Sequence, residues 1–297
     1  MRGVFDFRYH VASLAAVFVA LVLGILVGVG LSGRGFVDDA ERSNLEGQIA
    51  DLRDERDGAF AQLEDAQRSG LAFDEYTSDT YPALVRARLR DASVGALAVG
   101  DVDEGVADAI GTAVRDGGGA VLRTRSLVVP LDGDAVDEAL RAKPALRRYV
   151  GPDAREELGR ALGREFVRGG QTPLWDALSS VIVAERAGPL RPRLDGVVVS
   201  RSARPQGGET KDFLTGLYRG LARAGAPGVG VDSANATVAA APAFRRGGLS
   251  TVDTIEQPPG RLALVLLLAG GDPGSYGLED NALDGILPRV PVVSTRP

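Results

Sequence analysis

The segment Val94–Val129, which reads VGALAVGDVDEGVADAIGTAVRDGGGAVLRTRSLVV, decides the fold class of this chain. Its first apolar run, Val94–Val99, predicts a strand, and Glu104–Val114 has the pattern of a helix. Three glycines end that helix before a second apolar run, Val121–Val129, which predicts the next strand. A strand, a helix and a strand in this order build parallel sheet, so we predict an α/β domain, assigned to residues 80–297.

The alternation of strands and helices continues towards the C-terminus. Ala135–Ser180 predicts a more helical insert, after which strands are expected at Val197–Ser200 and Gly228–Val231. A helix from Thr210 to Arg223 separates those two strands. Arg261–Leu268 is so uniformly apolar that it predicts a central buried strand. The predicted sheet is therefore at least partly parallel.

Towards the N-terminus, Val11–Leu31 contains no charged residue. About 20 helical residues cross a hydrocarbon core, so this run predicts one transmembrane helix. Arg2 and Arg8 precede it and acidic residues follow it, and positive charge stays on the cytoplasmic side. We predict a single-pass cell-membrane protein with a cytoplasmic tail, residues 1–10, and an extracytoplasmic domain. A cleaved signal peptide is the alternative, although this run is longer than the apolar part of a typical signal.

Small residues recur at every fourth position of the predicted anchor: Ala12, Ala16, Ala20, Gly24 and Gly28. Such a ridge lets two helices approach closely in lipid, so one hypothesis is that the anchor self-associates through these residues. The alternative is chance, because alanine and glycine are frequent in membrane helices.

Residues 36–70 are highly charged but keep apolar residues at alternating spacings of four and three: Leu45, Ile49, Leu52, Ala59, Leu63 and Ala66. This heptad pattern predicts a coiled-coil stalk, which together with the anchor favours a homo-oligomer. Because the repeat is short, an amphipathic helix that packs on its own domain is the alternative.

The residue content argues against several classes of site. Cysteine is absent, and the single histidine, His10, lies at the edge of the anchor, so the domain lacks the residues of a Ser-His-Asp or Cys-His site. The acidic turn Gly100–Gly105 lacks a phosphate-binding fingerprint and is interpreted as a helix cap. We therefore predict no enzyme, no catalytic residue and no cofactor. The net charge of −6 also argues against nucleic acid as a partner.

Two separated blocks of sequence resemble the actinobacterial copper transporter MctB (mycobacterial copper transport protein B) family. The first block runs from Arg8 through His10 and Ser13 to Phe18. The second block contains Ser250, Thr251, Asp253, Gly260, Tyr276 and Gly277. The resemblance implies a cell-envelope protein of copper transport or efflux, with copper ions as partner and an outer-envelope location. It assigns no role to these individual positions.

The side chains themselves offer few copper ligands. Copper prefers cysteine, methionine and histidine, and this chain has only Met1 and His10 of these types. We predict no metal site, and His10 is the one candidate ligand. Two other functions stay open. One is a structural or scaffolding role in the envelope, and the other is an extracytoplasmic domain that binds a small ligand at the carboxyl ends of its strands.

Overall fold

The computed structural model describes residues 7–31, 34–234, 236 and 238–289. The chain forms two compact units, Met1–Ala72 and Phe73–Pro297. Residues 1–6 of the predicted cytoplasmic tail lie outside the described residues.

The N-terminal unit is helical. The first helix, α1, spans Phe7–Leu31, and its apolar stretch His10–Gly30 is long enough to cross a membrane. All side chains of that stretch are exposed. A helix that is apolar on every side requires apolar surroundings, which a membrane supplies. The second helix, α2, spans Arg34–Val85 and includes the predicted stalk.

The domain is built on a seven-stranded sheet whose order is β3-β2-β1-β4-β5-β6-β7. Neighbouring strands are parallel except for the β2–β3 pair, which is antiparallel. The predicted α/β class with a partly parallel sheet is confirmed. The strands are β1 Ser93–Val99, β2 Ala120–Leu127, β3 Val183–Ala187, β4 Gly196–Arg201, β5 Gly228–Val231, β6 Ser250–Val252 and β7 Ser275–Tyr276.

Among the described residues of the domain, seven further α-helices cover the sheet, including those of the predicted helical insert. They are α3 Glu104–Asp116, α4 Gly133–Arg141, α5 Arg155–Arg168, α6 Pro173–Ile182, α7 Gly208–Ala222, α8 Ala241–Arg246 and α9 Pro258–Leu268. Two short 3₁₀ helices, Pro144–Tyr149 and Pro152–Ala154, precede α5.

The sheet separates two apolar cores. Because side chains alternate along a strand, Val197 and Val199 of β4 face one core and Val198 faces the other. The first core is closed by α4 to α8, and the second by α3, α9 and the end of α2, where Tyr81 and Val85 are buried. The four-residue run of buried positions in β4 is typical of a central parallel strand.

One prediction was wrong: Arg261–Leu268 is not a strand but belongs to helix α9. Two prolines open this helix, where their fixed φ suits a helix and their missing N–H is not needed. It ends in a Schellman motif, in which the N–H groups of Gly270 and Gly271 donate to carbonyls of the last turn. The helix contacts β5, β6 and α3, so its uniform apolarity reflects burial on several sides.

Glycines bring the backbones of α5 and α7 into contact. Gly159 and Gly163 of α5 lie on the backbone of α7, and Gly216 and Gly220 of α7 lie on that of α5. A Cβ on Gly163 would come within 2.6 Å of the carbonyl oxygen of Leu217. Side chains at these positions would therefore force the two helices apart.

A buried cation fixes the start of α5. Arg155 is 1% exposed, and its guanidinium donates to Asp137 of α4 at 2.7 Å and to Glu209 of α7 at 2.8 Å. Burial alone would raise the pKa of Asp137, but the hydrogen bonds from Arg155 and from the Gly151 N–H outweigh burial and lower the pKa. The carboxylate therefore stays charged and holds α4 against α5.

Substitution of Gly216 by alanine tests the contact between α5 and α7. The new Cβ would overlap the carbonyl oxygen of Glu156. We expect Gly216→Ala to lower the free energy of unfolding by about 3 kcal/mol, as overpacking of a tight contact does. Urea denaturation of the full chain in detergent, followed by the fluorescence of the buried Trp175, the only tryptophan, measures the change.

The matched control is Gly111→Ala in α3, where the nearest atom to the new Cβ is Arg115 Nη2 at 3.9 Å. Alanine there should raise the free energy of unfolding by about 0.5–1 kcal/mol, because glycine is unfavourable inside a helix. Equal effects of the two substitutions would contradict a specific contact between α5 and α7.

Candidate functional site

A cleft lies at the carboxyl edge of the sheet, where the strand order reverses. Strand β1 is followed in sequence by its neighbour β2, but the chain later returns to place β4 on the opposite side of β1. Open parallel sheets bind ligands at such a reversal, because the loops there diverge and leave a crevice. In this chain the crevice has a volume of about 630 Å³.

Three loops form the walls of this cleft. Asp101 and Asp103 come from the loop after β1, and Ser200–Pro205 from the end of β4 and the loop that follows it. The loop after β5 adds Ser233 and Val238, among others. Two carboxylates and the two arginines Arg201 and Arg204 therefore share one crevice, which gives it no strong net charge.

The loop after β1 is fixed by local hydrogen bonds. The Val106 N–H donates to Asp103 Oδ1 at 3.0 Å, so Asp103 caps α3, and the interpretation of this acidic turn as a helix cap is confirmed. Gly100 has a φ of +91°, and a Cβ there would lie 2.8 Å from Ser202 Oγ. The Ser202 hydroxyl donates to the Asp101 carbonyl at 2.6 Å, which joins the first two loops.

Arg201 lines the cleft and is incompletely bonded. Its Nη2 donates to the Ala239 carbonyl at 3.2 Å. Its buried Nε has no hydrogen-bond acceptor among the described residues. A guanidinium in this state can donate to an acidic or carbonyl oxygen of a ligand.

Asp232, directly after β5, organises the neighbouring loop. Its carboxylate accepts hydrogen bonds from the N–H groups of Ala240 and Ala241 at 2.9 and 2.8 Å, which fixes the start of α8. Burial raises the pKa of Asp232, while these N–H groups and the charge of Arg201 act in the opposite direction. This carboxylate is engaged with backbone and is not directed at a ligand.

Asp253, after β6, fixes the C-terminal segment through hydrogen bonds to backbone N–H groups. It accepts hydrogen bonds from the N–H groups of Leu278 at 2.7 Å and Glu279 at 3.2 Å. Gly277 has a φ of +142°, and a Cβ there would overlap the Asp253 carboxylate. Only glycine allows the chain to pass this close to the carboxylate.

The other positions of the second resemblance block lie around Asp253. The N–H of Thr251 donates to the Gly274 carbonyl, and that of Asp253 to the Tyr276 carbonyl, at 2.9 and 3.1 Å. Ser250 Oγ accepts from the Gly274 N–H at 3.3 Å. A Cβ on Gly260 would overlap the Thr254 carbonyl. The structure thus brings this block together to join β6, β7 and the start of α9, a packing role that sequence spacing alone did not indicate.

The residues of the first resemblance block belong to the N-terminal unit. Arg8, His10 and Ser13 all lie on α1, and the side chain of Arg8 is outside the described residues. His10 and Ser13 are exposed. The small residues of the predicted ridge are exposed too, and their spacing of four places them on one side of α1: Ala12, Ala16, Ala20, Gly24 and Gly28.

Across residues 7–31 and 34–289, apart from the few positions not described, no group of three or more His, Asp or Glu side chains could hold a metal ion. The absence of a metal site stays a prediction.

Known proteins are similar to this chain over nearly its whole length. The family described as "Copper transport outer membrane protein, MctB" matches residues 4–287. The copper transporter MctB of Mycobacterium tuberculosis is 28% identical over 309 aligned residues, which cover 93% of this chain and 97% of that protein. The copper transporter MctB of Mycobacterium bovis matches with the same identity and coverage.

Alanine at position 277 tests the role of the Asp253 contact. We expect Gly277→Ala to lower the free energy of unfolding by about 2–4 kcal/mol, because it adds a steric overlap to an unfavourable φ. The control is Gly285→Ala, where φ is +105° but no atom lies within 4 Å of the new Cβ. That variant should lose only about 1 kcal/mol, from backbone strain alone. Equal losses in urea denaturation would show that Asp253 does not require the glycine.

Proposed function

This chain belongs to the MctB family, and we propose that it takes part in copper transport or efflux across the cell envelope. The observation that carries the proposal is the extent of the family match, which runs from residue 4 to residue 287 and so includes the anchor as well as the domain. The protein keeps cytoplasmic copper low and has no catalytic role.

The chain is membrane-anchored, and we propose that α1 remains uncleaved with its N-terminus in the cytoplasm. The charges around the apolar stretch His10–Gly30 support this orientation, because Arg2 and Arg8 precede it and Asp38, Asp39 and Glu41 follow it. The domain then lies on the extracytoplasmic side. Its size allows a core without disulfides, consistent with the absence of cysteine.

The proposed mechanism uses weak copper contacts in an oligomer. One copy offers no soft ligand set, since cysteine is absent and His10 is the only histidine. Several copies joined along the small-residue side of α1 bring their His10 side chains to the same level of the membrane. The exposed leucines and isoleucine of the stalk supply a second contact between copies: Leu45, Ile49, Leu52 and Leu63.

A second candidate function is the binding of a small ligand in the cleft at the carboxyl edge of the sheet. Arg201 and Arg204 favour it, because both line the crevice and guanidinium groups donate to acidic and carbonyl oxygens. The ligand class that suits these donors is a small molecule with a carbonyl or acidic oxygen. In this role the domain senses a solute while the anchor keeps it at the membrane.

Removal of the protein from its host tests the copper proposal. We expect cytoplasmic copper, measured by mass spectrometry of fractionated cells, to rise several-fold on deletion and to return to normal when the intact chain is restored. The variant Gly24→Leu/Gly28→Leu should restore it poorly, because leucine prevents close approach of two α1 helices.

The matched control for that variant is Val22→Leu, which adds bulk on the other side of α1 and should restore copper fully. Copper content that is unchanged on deletion would contradict transport and favour a structural role in the envelope. Full restoration by the double leucine variant would contradict oligomerisation through the small-residue side.

A further inference from the structure

A second cavity, of about 1020 Å³, lies away from the carboxyl-edge cleft. Its walls are the β2–β3 pair, the turn after β3 and the start of α6. The charged residues that line it are three arginines, Arg125, Arg186 and Arg191, and one carboxylate, Asp176. We call it the arginine cavity.

Two of these arginines lie directly opposite each other on neighbouring strands. Arg125 of β2 is the Cα partner of Arg186 of β3 in their antiparallel register. Like charges at directly opposite positions of a sheet destabilise it, because their Cβ atoms are only about 5 Å apart. The pair therefore needs a compensating negative charge.

The protein supplies little of that charge. Arg125 is 4% exposed, and its Nη atoms donate only to carbonyls, those of Thr124, Ala187 and Gly188. Its buried Nε has no acceptor among the described residues. Burial, followed by the charge of Arg186, lowers the pKa of Arg125, because both disfavour its charged form.

The remaining charged groups leave the balance positive. In the described part of the chain, Arg125, Arg186 and Arg191 form no ion pair. Asp176 is exposed, and the Thr172 hydroxyl lies 3.5 Å from its carboxylate. The N-terminus of α6 adds no free donors, because Glu165 already accepts from the N–H groups of Leu174 and Trp175.

Glycines keep the arginines in these positions. Gly188, with a φ of +72°, turns the chain after β3, and a Cβ there would overlap the Leu122 carbonyl. The backbone carbonyl of Arg191 accepts from the Gly170 N–H at 2.7 Å, which ties the turn to the segment before α6. The backbone around the arginine cavity is thus fixed, and two exposed arginines, Arg186 and Arg191, line the cavity.

We propose that the arginine cavity binds a phosphate group. The exposed guanidiniums of Arg186 and Arg191 donate to its oxygens, since the planar fork of arginine matches phosphate, and Arg125 supplies buried positive charge behind them. The group comes either from a free phosphate compound or from the headgroup of an anionic phospholipid. This phosphate site is independent of the proposed role in copper transport. The positive charges of its arginines repel copper ions, so the cavity does not serve as a copper site.

Calorimetric titration of the full chain in zwitterionic detergent with sodium pyrophosphate tests the site. We expect saturable binding that weakens at least tenfold in Arg186→Ala and in Arg191→Ala. Arg186→Lys should be intermediate, because it keeps the charge and loses the fork. The control is Arg193→Ala, whose guanidinium donates to the Gly225 carbonyl and does not line the cavity.

A second titration identifies the source of the phosphate. Short-chain phosphatidylglycerol carries a phosphate with net negative charge, and short-chain phosphatidylcholine is its neutral counterpart. Binding of pyrophosphate alone assigns a free phosphate compound, and arginine-dependent binding of phosphatidylglycerol over phosphatidylcholine assigns a lipid headgroup. Absence of saturable binding by both anions would overturn the proposal. So would affinities that are unchanged in both alanine variants while their Trp175 fluorescence reports a native fold.

Discussion

The backbone contact between α5 and α7 is the constraint on which the architecture of the domain depends. Four glycines allow it, and their contacts progress in the same direction along both helices, from Glu156 and Gly216 to Arg160 and Gly220. The insert between β2 and β3 is thereby fixed on the helix that follows β4. Because α7 begins directly after the loop that lines the carboxyl-edge cleft, the same contact determines where that loop ends.

Charged side chains in the domain serve two different purposes. Asp232 and Asp253 direct their oxygens at backbone N–H groups, so they build the carboxyl edge of the sheet and are not available as ligands. The buried Arg155 has carboxylate partners on two helices, whereas Arg125 has carbonyls only. This contrast separates arginines that stabilise the fold from those whose charge is left uncompensated.

Much of the fold could be predicted from the sequence because its strands and helices differ in pattern. Glycines bound the segment from β1 to β2 and the later elements β4, α7 and β5, and these segments contain apolar runs. The apolar anchor, for its part, predicts only a helix.

Helix α9 could not be recognised from periodicity, because burial on several sides removes the polar face that reveals a helix. The signal that was available in the sequence is the pair Pro258 and Pro259 at the start of the helix and the pair Gly270 and Gly271 after its end. The contact between Asp253 and Gly277 and the opposition of Arg125 and Arg186 depend on tertiary register, which one sequence does not contain.

The two outer strands of the sheet limit how copies of the domain can meet. Strand β7 has only two residues, and β3 carries the exposed charges of Glu185 and Arg186 along its five. Short or charged edges are poor templates for a further strand, so joining of two sheets side by side is disfavoured, as is growth into fibrils. Crowding of many copies at a membrane surface therefore does not by itself lead to aggregation through the edges of the sheet.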